Sequence, residues 1–430
     1  MTGTTTHTVF VSQRFPPDKG GNAARMHDIA VNLDQEVTVL APPPSYPPGE
    51  FDRSWQRTGT DTVEGVTVHR LWSYQPQTEN PGMVKRMAYY LIFGLHAMAW
   101  LLWHRNEYDV LVTTTPPIST GAAGLLATTL GKPWIVDVRD LWIDASISLG
   151  YLDEGSPIER ISRRFQKTVL HSADRISITT PSLGESLQET YGSSLAEKMV
   201  EIPNGVDTDQ FQPKYDRDVV PASGDSAAST QPAPSADTKM DGGRPTIIYT
   251  GNLGSSQALE CFVQAMDHLS DDSAVLRLVG SGDVESQLRD QAAELGVQDR
   301  VEFEGLVPRE EVPGLLTEAT IGIAPIRDTE EMAYAMPTKL YEYMASGLPT
   351  VVTGRGEIEQ FVERSGGGVH TDTDPETIAA TLDELLSERE RRHRLGLNGR
   401  EYTVTHYDRK VIARRLGDEL DELAAGETLA

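Results

Sequence analysis

The stretch that bears most directly on the fold is AYAMPTKLYEYMASGLPTVV, residues 333–352. Its first half has helical spacing, because Leu340 and Met344 lie four residues apart on one side and Pro337 stands where a helix would begin. A glycine and a proline end the helical pattern, and the β-branched run PTVV follows at once. A helix that leads directly into an apolar strand is the unit from which parallel sheets are built.

The same unit recurs along the whole chain. Short apolar runs alternate with longer stretches of helical spacing, which implies crossover connections and parallel sheets covered on both faces. We therefore predict an α/β fold with two doubly wound domains. The runs are HTVFVSQ, EVTVLAP, VTVHRL, DVLVTTT, WIVDVRD and RISITTP in the first half, and TIIYTGN, AVLRLVG, RVEFEG, IGIAPI, PTVVTG and GGVHT in the second.

The 430 residues are too many for one ordinary core. Residues 214–245 are rich in Ser, Ala, Pro, Asp and Gly, a composition typical of a disordered linker or surface loop. We place the first domain at 1–205, the linker with its insertion at 206–245 and the second domain at 246–395. The remaining residues, 396–430, have helical spacing that also permits a return onto the first domain.

Charge and cysteine content narrow the class of protein. The chain has 38 Lys and Arg against 64 Asp and Glu, a net charge of -26, which argues against nucleic-acid binding and resembles proteins of salt-loving organisms. The lone Cys261 excludes an intramolecular disulfide and a cysteine-cluster metal site, and we expect it to be a buried, small apolar residue. The first residues do not resemble a secretory signal, so we expect a cytoplasmic protein.

The most apolar segment is MAYYLIFGLHAMAWLLW, residues 87–103, with basic residues on both flanks. At 17 residues it lies at the lower limit for a membrane span. Its terminal aromatic residues favour a helix that lies at a membrane surface, so we expect peripheral membrane contact through this segment. A helix buried within the domain is the alternative, and the sequence leaves both open.

In open parallel sheets, ligands bind beyond the carboxyl ends of the strands. After the first run, Gly20 and Gly21 allow close backbone approach, and we count them among the donor-binding residues, with a plain turn as the alternative. After the run WIVDV, we predict Asp137, Arg139 and Asp140 as catalytic residues that orient a hydroxyl-rich substrate. The alternative for these three is an ion pair at a helix start.

The second domain repeats this arrangement. Its first strand runs into Gly251, Asn252 and Gly254, where backbone N–H groups could face a phosphate. Gly280 and Gly282 follow the next strand, where a flat base could approach the backbone. Ordinary turn chemistry is again the alternative, but the repetition at successive strand ends favours a donor site.

The opening stretch completes the predicted donor site. With Pro337 at the first helical position, the N–H groups of Thr338 and Lys339 point outward at the positive end of the helix dipole. Thr338, Lys339 and Glu342 share one helix face, so the sequence offers an amine for a diphosphate and a carboxylate for ribose hydroxyls. A surface Lys–Glu pair, contributing only about 0.3 kcal/mol, is the alternative.

Several of these segments together resemble the retaining glycosyltransferases of the GT-B fold, family 4, especially those that build bacterial and archaeal surface polysaccharides. They occur in the family's order: PPDKGGNAAR, VDVRDLW, IPNGVDTDQF, YTGNLG, LVGSGD, VEFEGLVPREEVP and PTKLYEYMASGLPTVV. The resemblance implies two Rossmann-like domains facing a cleft, with a UDP- or GDP-sugar held by the second and a lipid-linked or polysaccharide acceptor by the first. It also implies transfer with retention of configuration, without a metal ion or a cofactor.

The chain departs from the family pattern in two places. Where the family often has two glutamates separated by seven residues, Glu342 matches the second but Tyr334 stands at the first. The arginine and lysine that often follow the opening strand of the donor domain are not evident in YTGNLGSSQALE, where Asn252 and Gln257 stand nearby, so Lys339 could serve as the diphosphate's cation. An isomerase, the nucleotide-sugar 2-epimerase of the same architecture, is the alternative to the transferase, and a non-catalytic two-lobed binding protein is a third reading.

Overall fold

The structure, a computed structural model, describes residues 5–46, 51, 59–75, 82–148, 150–213 and 244–426. It divides into two compact units, Met1–Gly205 with His406–Ala430, and Val206–Thr405. The predicted insertion at 214–245 lies outside the described residues except for its last two. Residues 396–405, which we grouped with the C-terminal helices, belong to the second unit.

The first unit is built on a sheet with the order β3-β4-β2-β1-β5-β6-β7-β8. Its elements are β1 His7–Val11, α1 Gly21–Asn32, β2 Glu36–Ala41, β3 Gly59–Val63, β4 Val66–Arg70, α2 Met83–Trp103, β5 Val110–Thr115, α3 Gly121–Thr129, β6 Trp134–Val138, α4 Trp142–Ser148, α5 Pro157–Ser172, β7 Arg175–Ile178, α6 Pro181–Tyr191 and β8 Met199–Glu201. Neighbouring strands are parallel except β3, which pairs antiparallel with β4.

The second unit has a wholly parallel sheet with the order β11-β10-β9-β12-β13-β14. Its elements are β9 Thr246–Thr250, α7 Leu259–His268, β10 Val275–Val279, α8 Glu285–Glu294, β11 Val301–Gly305, α9 Val312–Glu318, β12 Ile321–Pro325, α10 Thr338–Ala345, β13 Thr350–Thr353, α11 Glu357–Ser365, β14 Gly368–His370, α12 Pro375–Ser387 and α13 Arg389–His406. The α/β fold with two doubly wound domains is confirmed. Each apolar run named above forms a strand, and β3 and β8 are additional.

The last helix, α14 Arg409–Ala424, belongs to the first unit and packs against α1. Its buried side chains Ile412, Leu416 and Leu420 join the same core cluster as Met26 and Ile29 of α1. Such a cluster of fully buried aliphatic side chains supplies most of the favourable free energy of folding. The end of the chain is therefore part of the core of the first unit.

Helix α2 contains the apolar segment 87–103 and is buried on one side only. Phe93, Ala97 and Leu101 are inaccessible to solvent, whereas Leu95 is 63% exposed and Trp103 is 84% exposed. The buried-helix interpretation therefore holds for one face of α2 and leaves the other without a covering element in the described chain. Among the described residues, none of the helices combines the length and apolar character needed to span a bilayer.

The single cysteine differs slightly from expectation. Cys261 is only partly buried and packs at the edge of the second unit's core. Burial raises the pKa of its thiol. It therefore behaves as a small apolar residue at the core boundary.

Candidate active site

The predicted donor residues of the second unit meet at the carboxyl edge of its sheet. Gly251, Asn252 and Gly254 follow β9, and helix α10 begins after β12, the neighbour of β9 in the sheet. The turn after β9 touches α10, because a Cβ on Gly251 would lie 3.3 Å from Nζ of Lys339. Gly251 has φ of +130°, so glycine is required there for conformation as well as for space.

Lys339 is partly buried at the start of α10, and its amine has two polar partners. Nζ donates to the hydroxyl of Tyr249 and, at 3.1 Å, to Oε1 of Gln257, and it also lies 3.8 Å from the centre of the Tyr249 ring. Burial lowers the pKa of Lys339 to about 7, although the Glu342 carboxylate acts in the opposite direction. An ammonium has three donors, so the described residues leave one N–H for a ligand.

Glu342 lies one turn further along α10 and is nearly buried. Its Oε1 accepts a 2.8 Å hydrogen bond from Nη2 of Arg309, whose side chain is 60% exposed. Arg309 and Glu342 form an ion pair in which the guanidinium is exposed to solvent and the carboxylate is largely buried. An exposed arginine can move away with little loss, so a ligand hydroxyl can take its place at the carboxylate.

Gly280 and Gly282 have a structural explanation that the sequence did not supply. A Cβ on Gly280 would lie 1.9 Å from the carbonyl oxygen of Gly251, and one on Gly282 would lie 2.2 Å from that of Leu253. The turns after β9 and β10 therefore cross in backbone contact, joined by the hydrogen bond from Leu253 N to Ser281 O at 3.0 Å. These glycines shape the loop that carries Gly251, and their contact with a base stays a prediction.

The start of α10 lies one residue later than predicted. Pro337 is the N-cap residue, with ψ of 124°, and Thr338 is the first helical residue. Thr338 is exposed, and no side chain caps this helix. The N–H of Leu340 donates to the carbonyl oxygen of Pro337 at 3.1 Å. The N–H groups of Thr338 and Lys339 are the ones at this helix start that can face an anion. Tyr334 lies just before this point and is partly buried.

In the first unit, Asp137 is the centre of a buried ion pair. Nη2 of Arg25 donates to Oδ1 of Asp137 at 2.8 Å, and the hydroxyl of Ser177 donates to the same oxygen at 2.7 Å. Burial would raise the pKa of Asp137, but Arg25 outweighs it and holds the pKa below its usual value. Asp137 is thus committed to Arg25, which favours a positioning role over direct contact with an acceptor.

Arg139 and Asp140 are different, because each has buried polar atoms without a partner among the described residues. Nε of Arg139 donates to the carbonyl oxygen of Thr115 at 3.1 Å. Nη1 and Nη2 of Arg139 have no hydrogen-bond partner among the described residues, and neither does Oδ1 of Asp140. Burial lowers the pKa of Arg139 to about 10 and raises that of Asp140 to about 6. Unsatisfied buried groups of this kind are expected where a ligand completes the hydrogen bonding.

Gly20 and Gly21 lie in the first unit, where Gly20 caps α1 and Gly21 opens it. Gly20 has φ of +110°, so the turn itself requires glycine. Nothing lies within 4 Å of a Cβ on Gly21 among the described residues. Their assignment to the donor stays a prediction.

Two residues with close contacts to the predicted site were missed. Tyr249 stands near the carboxyl end of β9, a strand that the sequence predicts. The rule that ligands bind beyond the carboxyl ends of strands could therefore have identified it. Arg309 lies far from Glu342 in the chain, and no spacing connects the two. Only the fold brings them together.

Comparison with known proteins accounts for nearly the whole chain. The family model "Glycosyl transferase 4-like domain" matches residues 20–205, and "Glycosyl transferases group 1" matches residues 231–402. The protein is a glycosyltransferase of the GT-B fold. The first model covers strands β2 to β8 of the first sheet, and the second model covers all six strands of the second sheet.

Among similar proteins, one from Escherichia coli carries the name of a colanic acid biosynthesis glycosyl transferase, WcaI; it is 25% identical over 81% of this chain and 82% of its own. The GDP-mannose-dependent α-(1-6)-phosphatidylinositol monomannoside mannosyltransferase of Mycolicibacterium smegmatis is 23% identical over 96% of this chain and 97% of its own. Sucrose-phosphate synthase from Thermosynechococcus elongatus shares the fold, with a TM-score of 0.70 and 17% identity over 98% of this glycosyltransferase and 100% of the synthase.

Proposed function

We propose that this glycosyltransferase moves a hexose from a UDP- or GDP-sugar to a lipid-linked or polysaccharide acceptor, with retention of configuration and without a metal ion. In this proposal it is a family 4 enzyme of surface polysaccharide synthesis that works in the cytoplasm, at the inner face of the membrane. The names of the relatives from E. coli and M. smegmatis support a surface glycan and a nucleotide-sugar donor. No feature of the site favours the epimerase.

The observation that carries the donor assignment is the placement of Lys339. Its amine lies at the start of α10, against the turn at Gly251, with one donor uncommitted among the described residues. A diphosphate at this helix start receives the amide N–H groups and the ammonium together. Because negative charge on the leaving diphosphate grows as the glycosidic bond breaks, Lys339 stabilises the transition state more than the ground state.

Glu342 is assigned to the ribose. Its carboxylate is held near the protein surface and is covered by the exposed Arg309. Ribose hydroxyls can donate to the carboxylate when Arg309 moves aside or to the oxygen that Arg309 leaves open. This contact adds affinity for any nucleotide without favouring one base.

In the first unit, we assign the acceptor to Arg139 and Asp140. Their unpartnered buried atoms need a polar ligand, and Asp137 acts through Arg25 to hold the strand end in place. Retaining transfer of this type is commonly described as attack on the same face as the departing phosphate, in which that phosphate takes the proton. Correct placement of the acceptor hydroxyl then provides most of the rate enhancement.

The first test is a thermal-shift screen of UDP- and GDP-sugars on the full chain, since a ligand that binds only the folded state raises the apparent stability. With the best donor, Lys339→Met is expected to lower kcat more than donor affinity. Glu342→Gln is expected to weaken donor affinity by about 1.5–3 kcal/mol, the usual contribution of a charged hydrogen bond. Glu363→Gln, an exposed carboxylate on α11, is the matched control.

If both site variants bind and turn over every nucleotide sugar like the wild type, the donor site is not at α10. Leu340→Ala serves as a second reference, because this buried side chain should affect only the stability of the fold. Epimerised nucleotide sugar formed without any acceptor would overturn the transferase assignment.

A further inference from the structure

Three helices of the first unit lie on the same face of its sheet. In the order β3-β4-β2-β1-β5-β6-β7-β8, the connections from β4 to β5, from β5 to β6 and from β6 to β7 all run in one direction. Right-handed crossovers that run in one direction place their helices on one face. Helices α2, α3 and α5 therefore form one layer, and α3 packs against both of the others.

Helix α2 turns an apolar ridge away from the sheet. Met87, Leu91, Leu95 and Leu102 are all exposed, and at 100° per residue they fall within one quarter of the helix circumference. The outer side of a surface helix is normally polar, so a continuous apolar ridge indicates a binding surface. Trp103, 84% exposed, stands at the end of the ridge, where interfacial tryptophans are typically found.

Helix α5, on the other side of α3 in the same layer, contributes positive charge. Its exposed side carries Arg160, Arg164 and Lys167, none of which forms an ion pair with a described acid, and Ile161 is 69% exposed among them. Arg163 is neutralised instead, by Glu159 and Asp144. A shallow groove along α5 is lined by Arg164, Lys167, Thr168, His171 and Ser172, donors suited to a phosphate group.

The N-terminal end of α2 approaches the segment before α5. The guanidinium of Arg86 lies 5.1 Å from the centre of the ring of Tyr151, which is itself half-exposed. The apolar ridge and the basic side therefore belong to the same helical layer, with α3 between them. We call the exposed residues just named on the two helices the α2–α5 surface.

We propose that the α2–α5 surface docks this enzyme on an anionic lipid bilayer, with the apolar ridge in the interface and the α5 cations on lipid phosphates. The proposal deepens the proposed function and rests on it for the lipid-linked acceptor. Charge complementarity selects the occupant, because a chain of net charge -26 is repelled from an anionic bilayer everywhere except at a basic surface. The overall repulsion thus fixes the orientation in which the protein can bind.

The test is flotation of the full-length protein with vesicles of phosphatidylcholine alone and of phosphatidylcholine with phosphatidylglycerol. We expect binding to the anionic vesicles that weakens at high salt, where the Debye length falls to about 3 Å. Arg160→Gln, Arg164→Gln and Lys167→Gln together should weaken binding about a hundredfold, from about fivefold for each charge near the surface. Leu91→Ser with Leu95→Ser should weaken binding to the same vesicles at every salt concentration.

Matched controls remove equivalent side chains from other surfaces. Arg389→Gln, Arg394→Gln and Arg414→Gln remove the same charge, and Leu306→Ser with Leu397→Ser remove exposed leucines; all five positions are exposed. Control variants should float like the wild type. Site variants that float as well as their controls, or wild type that stays unbound at low salt, would overturn the docking surface.

A second readout uses the fluorescence of Trp103. Anionic vesicles should shift the tryptophan emission of the wild type to shorter wavelength, and Trp103→Phe should remove most of this shift. If the protein instead self-associates through Leu91 and Leu95 and ignores vesicles, the surface is a contact between copies, and the bilayer assignment is wrong.

The two proposals fail separately, because flotation needs neither donor nor acceptor. Lys339→Met should float like the wild type. A protein that turns over a nucleotide sugar but ignores vesicles disproves only the docking surface. One that floats but binds no nucleotide sugar disproves only the proposed donor chemistry.

Discussion

At the scale of single residues, burial decides what each candidate side chain can do. Asp137 and Asp140 lie three residues apart. Arg25 outweighs burial and keeps Asp137 ionised, whereas for Asp140 burial outweighs the attraction of Arg139 and raises the pKa to about 6. Burial also lowers the pKa of the Lys339 amine, to about 7. Groups that titrate near neutral pH are the ones that respond to a ligand's charge.

Lys339 makes the pH dependence of catalysis predictable. The protonated amine binds the diphosphate, so its contribution is complete only well below pH 7 and is lost as pH rises through the lowered pKa of the free enzyme. We expect kcat/KM for the donor to fall above about pH 7, since it reports groups of the free enzyme. A bound diphosphate raises the pKa of Lys339, so kcat should fall only at higher pH.

Lys339→Met should remove this decline in kcat/KM. Any part of the pH profile that is caused by the titration of Asp140 should remain. A nucleotide sugar is the correct ligand for the companion binding measurement, because its diphosphate has no second ionisation near neutral pH. A decline in kcat/KM that persists unchanged in Lys339→Met would mean that another group is responsible.

At the scale of elements, the sequence predicts what periodicity encodes and misses what only tertiary contacts decide. Continuous β-branched runs identify buried parallel strands, but the exposed, antiparallel GTDTV of β3 and the three-residue β8 have no such pattern. The carboxyl-edge rule finds Lys339 and Glu342 because both stand at a helix after a strand. It cannot find Arg309, which reaches Glu342 from another connection.

The same limit explains the glycines after β9 and β10. Their sequence indicates close approach to the backbone, and the structure shows that the backbone of the neighbouring turn occupies that space. A glycine that makes room for a ligand and a glycine that makes room for a second loop look the same in a sequence. The two cases separate only when the distance from Gly280 to Gly251 is known.

Gly280→Ala tests this packing of one turn against another. Its Cβ would lie 1.9 Å from the carbonyl oxygen of Gly251, and its φ is +136°, so the turn after β9 must shift. We expect a loss of stability above about 4 kcal/mol, a size that points to a specific mechanism such as backbone collision. Donor affinity should fall too, because Gly251 contacts Lys339.

Gly296→Ala is the matched control, since its φ is +74° and nothing described lies within 4 Å of its Cβ. Gly296→Ala should lose only the stability that corresponds to holding a residue with a Cβ at positive φ, about 1–2 kcal/mol. Its donor affinity should not change. Calorimetric melting compares the two variants. Equal losses in both would show that the crossing of the turns contributes nothing beyond backbone conformation.

At the scale of the whole molecule, charge is distributed unevenly over an acidic chain. The excess of acids gives a net charge of -26, while the exposed side of α5 is basic. Like charges within a compact protein repel, and the repulsion disfavours the folded state. The ion pairs that oppose it are mostly at the surface, where each contributes little.

Raising the salt concentration should therefore stabilise this protein. Between about 0.1 M and about 1 M NaCl the Debye length falls from about 10 Å to about 3 Å, which screens the long-range repulsion among carboxylates. Buried pairs such as Arg25 with Asp137 are shielded from salt, so their attraction is retained. We expect the melting temperature to rise with NaCl and equally with KCl, which distinguishes screening from the exclusion effect of sulfate. A melting temperature that stays constant or falls would show that repulsion among the carboxylates does not limit the stability of this protein.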